Sequence, residues 1–309
     1  MLRLSWITTV TAAAVAASVV VLGGCGQFAP KYMKPLSPQT RAALAEKGMT
    51  ESSPILIRVF KAESELEVWK ARDDGHFYHF KTYPICSYSG GLGPKISQGD
   101  RQAPEGFYLV SEDQLNPRSK YHLAFNVGFP NAYDRAYGRT GADIMVHGDC
   151  TSSGCYAMTD GVMEEIYILA REALDGGQTS FQIQAFPFRM TAANMAAHKN
   201  DKWYDFWREL KEGYDYFETA RLAPQVAVCE KRYVVNVAYA GSGRPSPSGA
   251  CSSYRRLPVV AFKPSKLSKP AVSQAALTKP LGSVMGLSFG PMKQNYRAFT
   301  LGPATPGKQ

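Results

Sequence analysis

Acidic residues stop at Glu230: residues 231–309 contain none, against twelve Lys and Arg. The net charge of +9 therefore belongs to the C-terminal region, and residues 1–230 carry −3. That asymmetry excludes a uniformly basic, nucleic-acid-coating body and leaves a basic tail on a mildly acidic domain. After residue 24 no apolar run is long enough to span a bilayer, so no later transmembrane helix is expected. No internal repeat is present, which excludes a solenoid. Metal-ligand groupings are scarce too. His147, Cys150 and Cys155 have ligand-like spacing, but no fourth ligand lies near them, so neither metal nor other cofactor is expected.

What is present begins with an export signal. Arg3 precedes an apolar stretch from Trp6 to Leu22, which ends in Leu22-Gly23-Gly24-Cys25. This order of charge, apolar core and small residues is that of a signal peptide, and it resembles a bacterial lipobox with Cys25 as the lipidated residue. An ordinary secretory signal would export the chain as well. The expectation is a periplasmic protein held to a membrane by lipid, with residues 1–24 as the signal. In an exported protein the partner of the basic tail is an anionic wall polymer, phospholipid or lipopolysaccharide rather than nucleic acid, or else the tail is simply solvated.

Export also places the cysteines in an oxidising compartment. Cys229 and Cys251 flank a strand-like run and a Gly/Ser/Pro loop and form a disulfide candidate. Cys86 and Cys150 can pair or stay reduced, and spacing does not decide between these.

Five regions follow from the patterning. Residues 1–24 are the signal. Residues 25–52, with Pro30, Pro35 and Pro38, read as a linker with one short helix around 39–47. Residues 53–190 form the main domain. Ile55, Ile57 and Val59 alternate with Leu56, Arg58 and Phe60. Runs at 65–71 and 76–86 meet across Asp73-Asp74-Gly75, a hairpin signal. Further short strands are expected at 106–110, 121–127, 143–147 and 181–185, and a helix capped by Thr159 or Asp160 and stopped by Gly176-Gly177. Residues 191–240 are a helical and strand extension, in which Trp203, Phe206, Trp207 and Leu210 make a stripe that packs on the sheets. Residues 241–309 are low in complexity and expected to be disordered, apart from the short run 257–262.

The chemistry concentrates in His147-Gly148-Asp149-Cys150-Thr151-Ser152-Ser153-Gly154-Cys155-Tyr156-Ala157-Met158. A thiolate is a strong nucleophile, and an imidazole can take its proton. Gly154 lets substrate approach the backbone and leaves N–H groups free for an oxyanion. Cys150 is the poorer nucleophile, because Asp149 beside it opposes a thiolate. A Cys150–Cys155 disulfide would act as an off-switch.

This segment resembles the active-site signature of the YkuD-type L,D-transpeptidases, and His-Gly-Asp-Cys…Gly-Cys-Tyr-Ala-Met resembles the YafK-like branch. The stretches Cys86–Lys95, Gln98-Gly99-Asp100, Pro104-Glu105-Gly106-Phe107-Tyr108, Gly128–Arg135, Pro187–Thr191 and Gly213–Glu218 agree with it in order, over roughly residues 53–221. The resemblance implies an α+β fold: a β-rich sandwich or barrel catalytic domain with flanking helices and a disordered basic C-terminal tail. It implies Cys155 as nucleophile and His147 as base, the imidazole being oriented by a backbone carbonyl. The carbonyl attacked is the L-centre of meso-diaminopimelate in a peptidoglycan stem peptide. Backbone N–H groups near Gly154 and Cys155 would form the oxyanion hole, with Ser153, Gly148 and Tyr133 beside it. Arg135 and Arg189 are candidates for substrate carboxylates. An amine acceptor, including a wall-linked lipoprotein or outer-membrane protein, gives transfer; water gives hydrolysis, and one hydrolase of the branch cuts the bond joining diaminopimelate to the lysine of such a lipoprotein. Many members have His where this chain has Ser153 and Arg where it has Ala157, which opens the choice of acceptor. A non-catalytic wall-binding lipoprotein is the remaining reading, and the presence of both Cys155 and His147 argues against it.

Overall fold

The computed structural model describes residues 29–240 and 246–264. The signal at residues 1–24, Cys25 and the tail from residue 265 onward lie outside the described residues. In chain order the strands are β1 (Ile55–Phe60), β2 (Glu65–Ala71), β3 (Phe77–Pro84), β4 (Ser87–Tyr88), β5 (Gly106–Val110), β6 (Leu115–Asn116), β7 (Ala124–Asn126), β8 (Met145–His147), β9 (Tyr156–Ala157), β10 (Phe181–Phe186), β11 (Val226–Cys229), β12 (Arg232–Val235), β13 (Val237–Tyr239) and β14 (Tyr254–Arg256). The α-helices are α1 (Pro38–Glu46), α2 (Ala132–Ala136), α3 (Asp160–Asp175), α4 (Ala192–Ala197) and α5 (Tyr204–Ala220).

Two five-stranded mixed sheets carry the α+β fold, ordered β3-β2-β1-β10-β5 and β4-β9-β8-β7-β6. They do not join into a closed barrel, so the barrel form of the expectation is set aside. Ile57, Val59, Val110 and Ile183 of the first sheet share one core with Phe125, Val146 and Tyr156 of the second. Helix α3 closes that core with Met163, Ile166, Leu169, Ala170 and Ala173. Their three- and four-residue spacing makes the single apolar face such a helix needs.

Strand β1 departs from the alternation read in its sequence. All six of its residues are buried. Its second face is covered by α5: Phe60 packs with Trp207, Leu210 and Tyr214, and Leu56 and Trp69 pack with Phe217. Arg58 is buried in this second layer because its guanidinium meets Glu218 at 2.5 Å and lies over the rings of Tyr214 and Phe217. A buried charge needs such partners. The aromatic stripe of α5 is thus core.

Residues 29–52 are not a free linker. Leu36, Leu44 and Met49 are buried in the main core. Lys34 pairs with Glu164 at 3.1 Å, and Thr40 donates to Glu165 at 3.0 Å. Three apolar side chains among polar ones suffice to seat the segment on α3, and Ser37 caps α1 by accepting the Thr40 N–H.

The disorder expected from residue 241 onward, with the run 257–262 excepted, does not hold for residues 246–256. A disulfide joins Cys229 to Cys251, β14 pairs with β13, and Phe262 N–H donates to Thr219 O at 2.7 Å. Cross-linking and backbone pairing hold this segment where composition indicated no core. Among the described residues, no helix is long and apolar enough to cross a membrane.

Candidate active site

Strands β8 and β9 are parallel neighbours, with Val146 opposite Tyr156 and His147 opposite Ala157. Parallel strands ordinarily need a crossover of a dozen or more residues. Here only residues 148–155 intervene. The turn is that tight because Asp149 and Cys150 adopt left-handed conformations (φ 70° and 52°) and Gly154 takes φ 122°. Cys150 is fastened to Cys86 by a disulfide, which settles the pairing left open by the sequence and removes Cys150 as nucleophile, metal ligand or partner of Cys155. Cys155 is a free thiol.

The register puts His147 opposite Ala157, two residues after Cys155, which ends the turn between the two strands. The resting thiol is half-buried. It accepts the Met145 N–H at 3.4 Å and donates to Asp143 O at 3.7 Å. Burial pushes the Cys155 thiol up; the Met145 N–H and the Lys95 charge pull it back, and Asp143 adds to the rise. His147 is buried, and its Nδ1 lies 2.6 Å from Gly148 O. A carbonyl only accepts, so Nδ1 carries the proton and Nε2 keeps its lone pair. Burial holds the imidazole below the ordinary histidine value, with the Gly148 carbonyl and Asp149 opposing. Both shifts favour the neutral forms of thiol and imidazole at neutral pH.

Among the other expected residues, Gly154 stands against the peptide joining Arg101 to Gln102, where an added Cβ would lie 3.7 Å from Gln102 O. Ser153 is exposed on the turn. Gly148 is required by close approach: a Cβ would meet Asp160 Oδ1 at 2.6 Å and His122 Cβ at 2.9 Å. Its N–H is committed to Tyr121 O and Leu123 O, so it is no oxyanion donor. Tyr133 is not at the site surface either; it is buried against Tyr233 and Phe206, since α2 turns its ring into the aromatic core. Arg189 is spent on Glu65 and Glu67, at 2.5 and 2.7 Å, and is not free for a substrate carboxylate. Arg135 is exposed and donates to Pro130 O.

Three residues escaped the sequence reading. Ser152 Oγ accepts the N–H groups of Gly154 at 3.3 Å and Cys155 at 3.0 Å, and donates to Cys155 O at 2.7 Å. Both amides are thus occupied by that hydroxyl. A serine bonding to N–H groups two and three residues on is a local turn pattern that could have been read from Ser-Ser-Gly-Cys. Lys95 is the buried cation facing Cys155, held by Asp100 and Ser97 O. Lys61 has no local signal: fully buried, it donates to Gly93 O, Ala103 O and Glu105, and Glu105 also accepts Gly93 N–H and Trp207 Nε1–H. This knot fixes the loop that lines the nucleophile.

The chain is similar to known proteins. A family model for the L,D-transpeptidase catalytic domain, YkuD, matches residues 54–176. YafK of Escherichia coli strain K12, itself an L,D-transpeptidase by attribution rather than proof, is 48% identical over 200 residues, covering 65% of this chain and 81% of that protein. The chain belongs to the L,D-transpeptidase family. Among solved structures, the helical cell shape determining protein Pgp2 from Campylobacter jejuni overlaps with a TM-score of 0.36 at 20% identity, over 59% of this chain and 68% of that one. Bd1075 of Bdellovibrio bacteriovorus overlaps with a TM-score of 0.31 at 22% identity, over 54% and 62%. The span matched by the family model contains β8, β9 and the turn between them.

Proposed function

We propose that this protein is a periplasmic, lipid-anchored L,D-transpeptidase in which Cys155 is the nucleophile and His147 the base. The observation that carries the reading is a free thiol at the end of the turn between β8 and β9 together with an imidazole at the end of β8 whose Nδ1 is fixed by Gly148 O. His147 Nε2 takes the thiol proton as Sγ bonds to the L-centre carbonyl of meso-diaminopimelate in a stem peptide. The imidazolium then protonates the departing amine, leaving a thioester. An acceptor amine attacks that thioester and gives its proton to Nε2, which passes it to the departing Sγ, so the thiol and the neutral imidazole are regenerated. The acceptor is another stem peptide or a wall-attached protein.

A second reading replaces the amine by water, releasing a free diaminopimelate carboxylate or cutting a lysine-linked protein from the wall. It is favoured by Ala157, which is fully buried between β4 and β8. That position offers no cation to hold an acceptor's carboxylate.

Incubating the purified protein with a labelled tetrapeptide muropeptide, with and without an amine, separates the two readings by mass spectrometry. Acceptor-dependent adducts mean transfer, and free diaminopimelate-ended stems mean hydrolysis. If Cys155→Ala retains either activity, the mechanism is wrong. The anchor is tested on the mature N-terminus, where an acylated Cys25 is expected and any other N-terminal residue would refute it.

A further inference from the structure

Tyr121 immediately precedes the core residues that lead into β7, and nearly half of its surface is exposed, at 47%. Its ring nevertheless lies on the His147 imidazole, with centroids 4.8 Å apart and planes inclined by 35°. His147 itself is 3% exposed. The tyrosine is thus part of the outer cover of the base rather than part of the core.

The segment bearing Tyr121 is tied down from two sides. Its carbonyl accepts Gly148 N–H at 3.0 Å, one residue beyond the base. The next residue, His122, has φ 66° and is gripped by α3: Nδ1 stands 3.4 Å from Asp160 Oδ2, and Nε2 stands 2.8 Å from Glu164 Oε1. A non-glycine residue in that conformation costs backbone energy and persists only where its surroundings hold it. Asp160 also accepts Asp149 N–H at 2.8 Å, so one carboxylate joins the Tyr121 segment to the turn after His147. Lys34 joins Glu164 from the N-terminal segment.

We propose that Tyr121 is a positioning residue for the base: its ring fixes the plane of the His147 imidazole and keeps water from its outer face. The proposal rests on the reading of His147 as base. The Gly148 carbonyl fixes one nitrogen of the imidazole but leaves rotation about that hydrogen bond open, and a ring tilted against the face restricts it. A covered imidazole also keeps Nε2 for the thiol, not for solvent. The charged and titratable groups facing this arrangement are Asp149 on the turn, His122 on the Tyr121 segment, Asp160 and Glu164 on α3, and the Cys155 thiol beyond β8.

The test uses the whole protein as wild type, Tyr121→Phe and Tyr121→Ala. With five histidines in the chain, the His147 imidazole resonance is assignable by its loss in His147→Gln. Wild type and Tyr121→Phe are expected to titrate below the ordinary value. Tyr121→Ala should move up toward about 6.5, as water reaches the ring. On the muropeptide, Tyr121→Ala should lose about tenfold in kcat with KM nearly unchanged, and Tyr121→Phe should keep its rate. Melting curves serve as the folding control, and the exposure of Tyr121 predicts little change. An unchanged His147 titration in Tyr121→Ala overturns the proposal, as does Tyr121→Phe behaving like Tyr121→Ala. A protein that shows the titration shift but turns over no stem peptide upholds the cover and refutes the proposed function instead.

Discussion

Removing the Cys86–Cys150 disulfide should loosen the nucleophile turn as well as destabilise the domain. The bridge closes a loop of 64 residues. The chain-entropy relation for a loop of that length gives about 4 kcal/mol. The Cys229–Cys251 bridge spans 22 residues and gives about 3 kcal/mol by the same relation. The two therefore differ little in stability and should differ sharply in effect on the site. Cys86 N–H donates to Ala157 O at 2.9 Å, and Cys150 N–H donates to Met158 O at 3.1 Å. Both ends of the first bridge are thus fastened to Ala157 and Met158, two and three residues after Cys155. In a domain of this size, about 4 kcal/mol corresponds to a fall in Tm of roughly 10 °C. The double variants Cys86→Ser/Cys150→Ser and Cys229→Ser/Cys251→Ser are compared by thermal melting and by the alkylation rate of Cys155 well below Tm. The first should change both, and the second should lower Tm alone. If the first variant melts within about 1 kcal/mol of the parent, or if both variants leave the Cys155 rate untouched, the reasoning fails.

Burial raises the Cys155 thiol, so its iodoacetamide reaction should inflect above the ordinary thiol pKa of about 8.5, and Lys95→Gln should push the inflection higher still; an inflection at or below the ordinary value refutes this. Lys61→Met strips Glu105 of its buried counter-charge and should cost about 3–5 kcal/mol in denaturant melts, and parental stability would contradict it. Lys70 is fully buried, and burial lowers its ammonium to about 7. Its unfolded form keeps the proton to about pH 10, so between those values the unfolded state binds more protons and stability rises with pH. The difference in urea midpoint between wild type and Lys70→Met should therefore shift in favour of wild type from pH 6 to pH 9, and a constant or opposite difference refutes it.

Much of the site was legible because it is local. His147, Gly154 and Cys155 lie within one short segment, and the Ser152 turn bond could have been read there too. Helix α3 and the β2–β3 hairpin were legible for the same reason: helix spacing and an Asp-Gly turn are written in adjacent residues. What needed the folded chain depends on distant partners. The alternation in β1 reads as a half-exposed strand until α5, more than a hundred residues later, covers its second face. Leu36, Leu44 and Met49 are too few to look like a core, yet they have α3 to rest on. Tyr133 and Arg189 have the chemistry of a binding site, but folding sends one into an aromatic cluster and the other onto two glutamates.

The sequence by itself determined the family, and it carries the thiol, imidazole and turn glycine on which the proposed chemistry rests, because their identity and spacing are fixed within one segment. Only the tertiary structure decided which tautomer His147 holds, which of the described cysteines is left free, and what covers the imidazole. Those depend on Gly148 O, Cys86 and Tyr121, and long-range packing brings the last two to the turn from elsewhere in the chain.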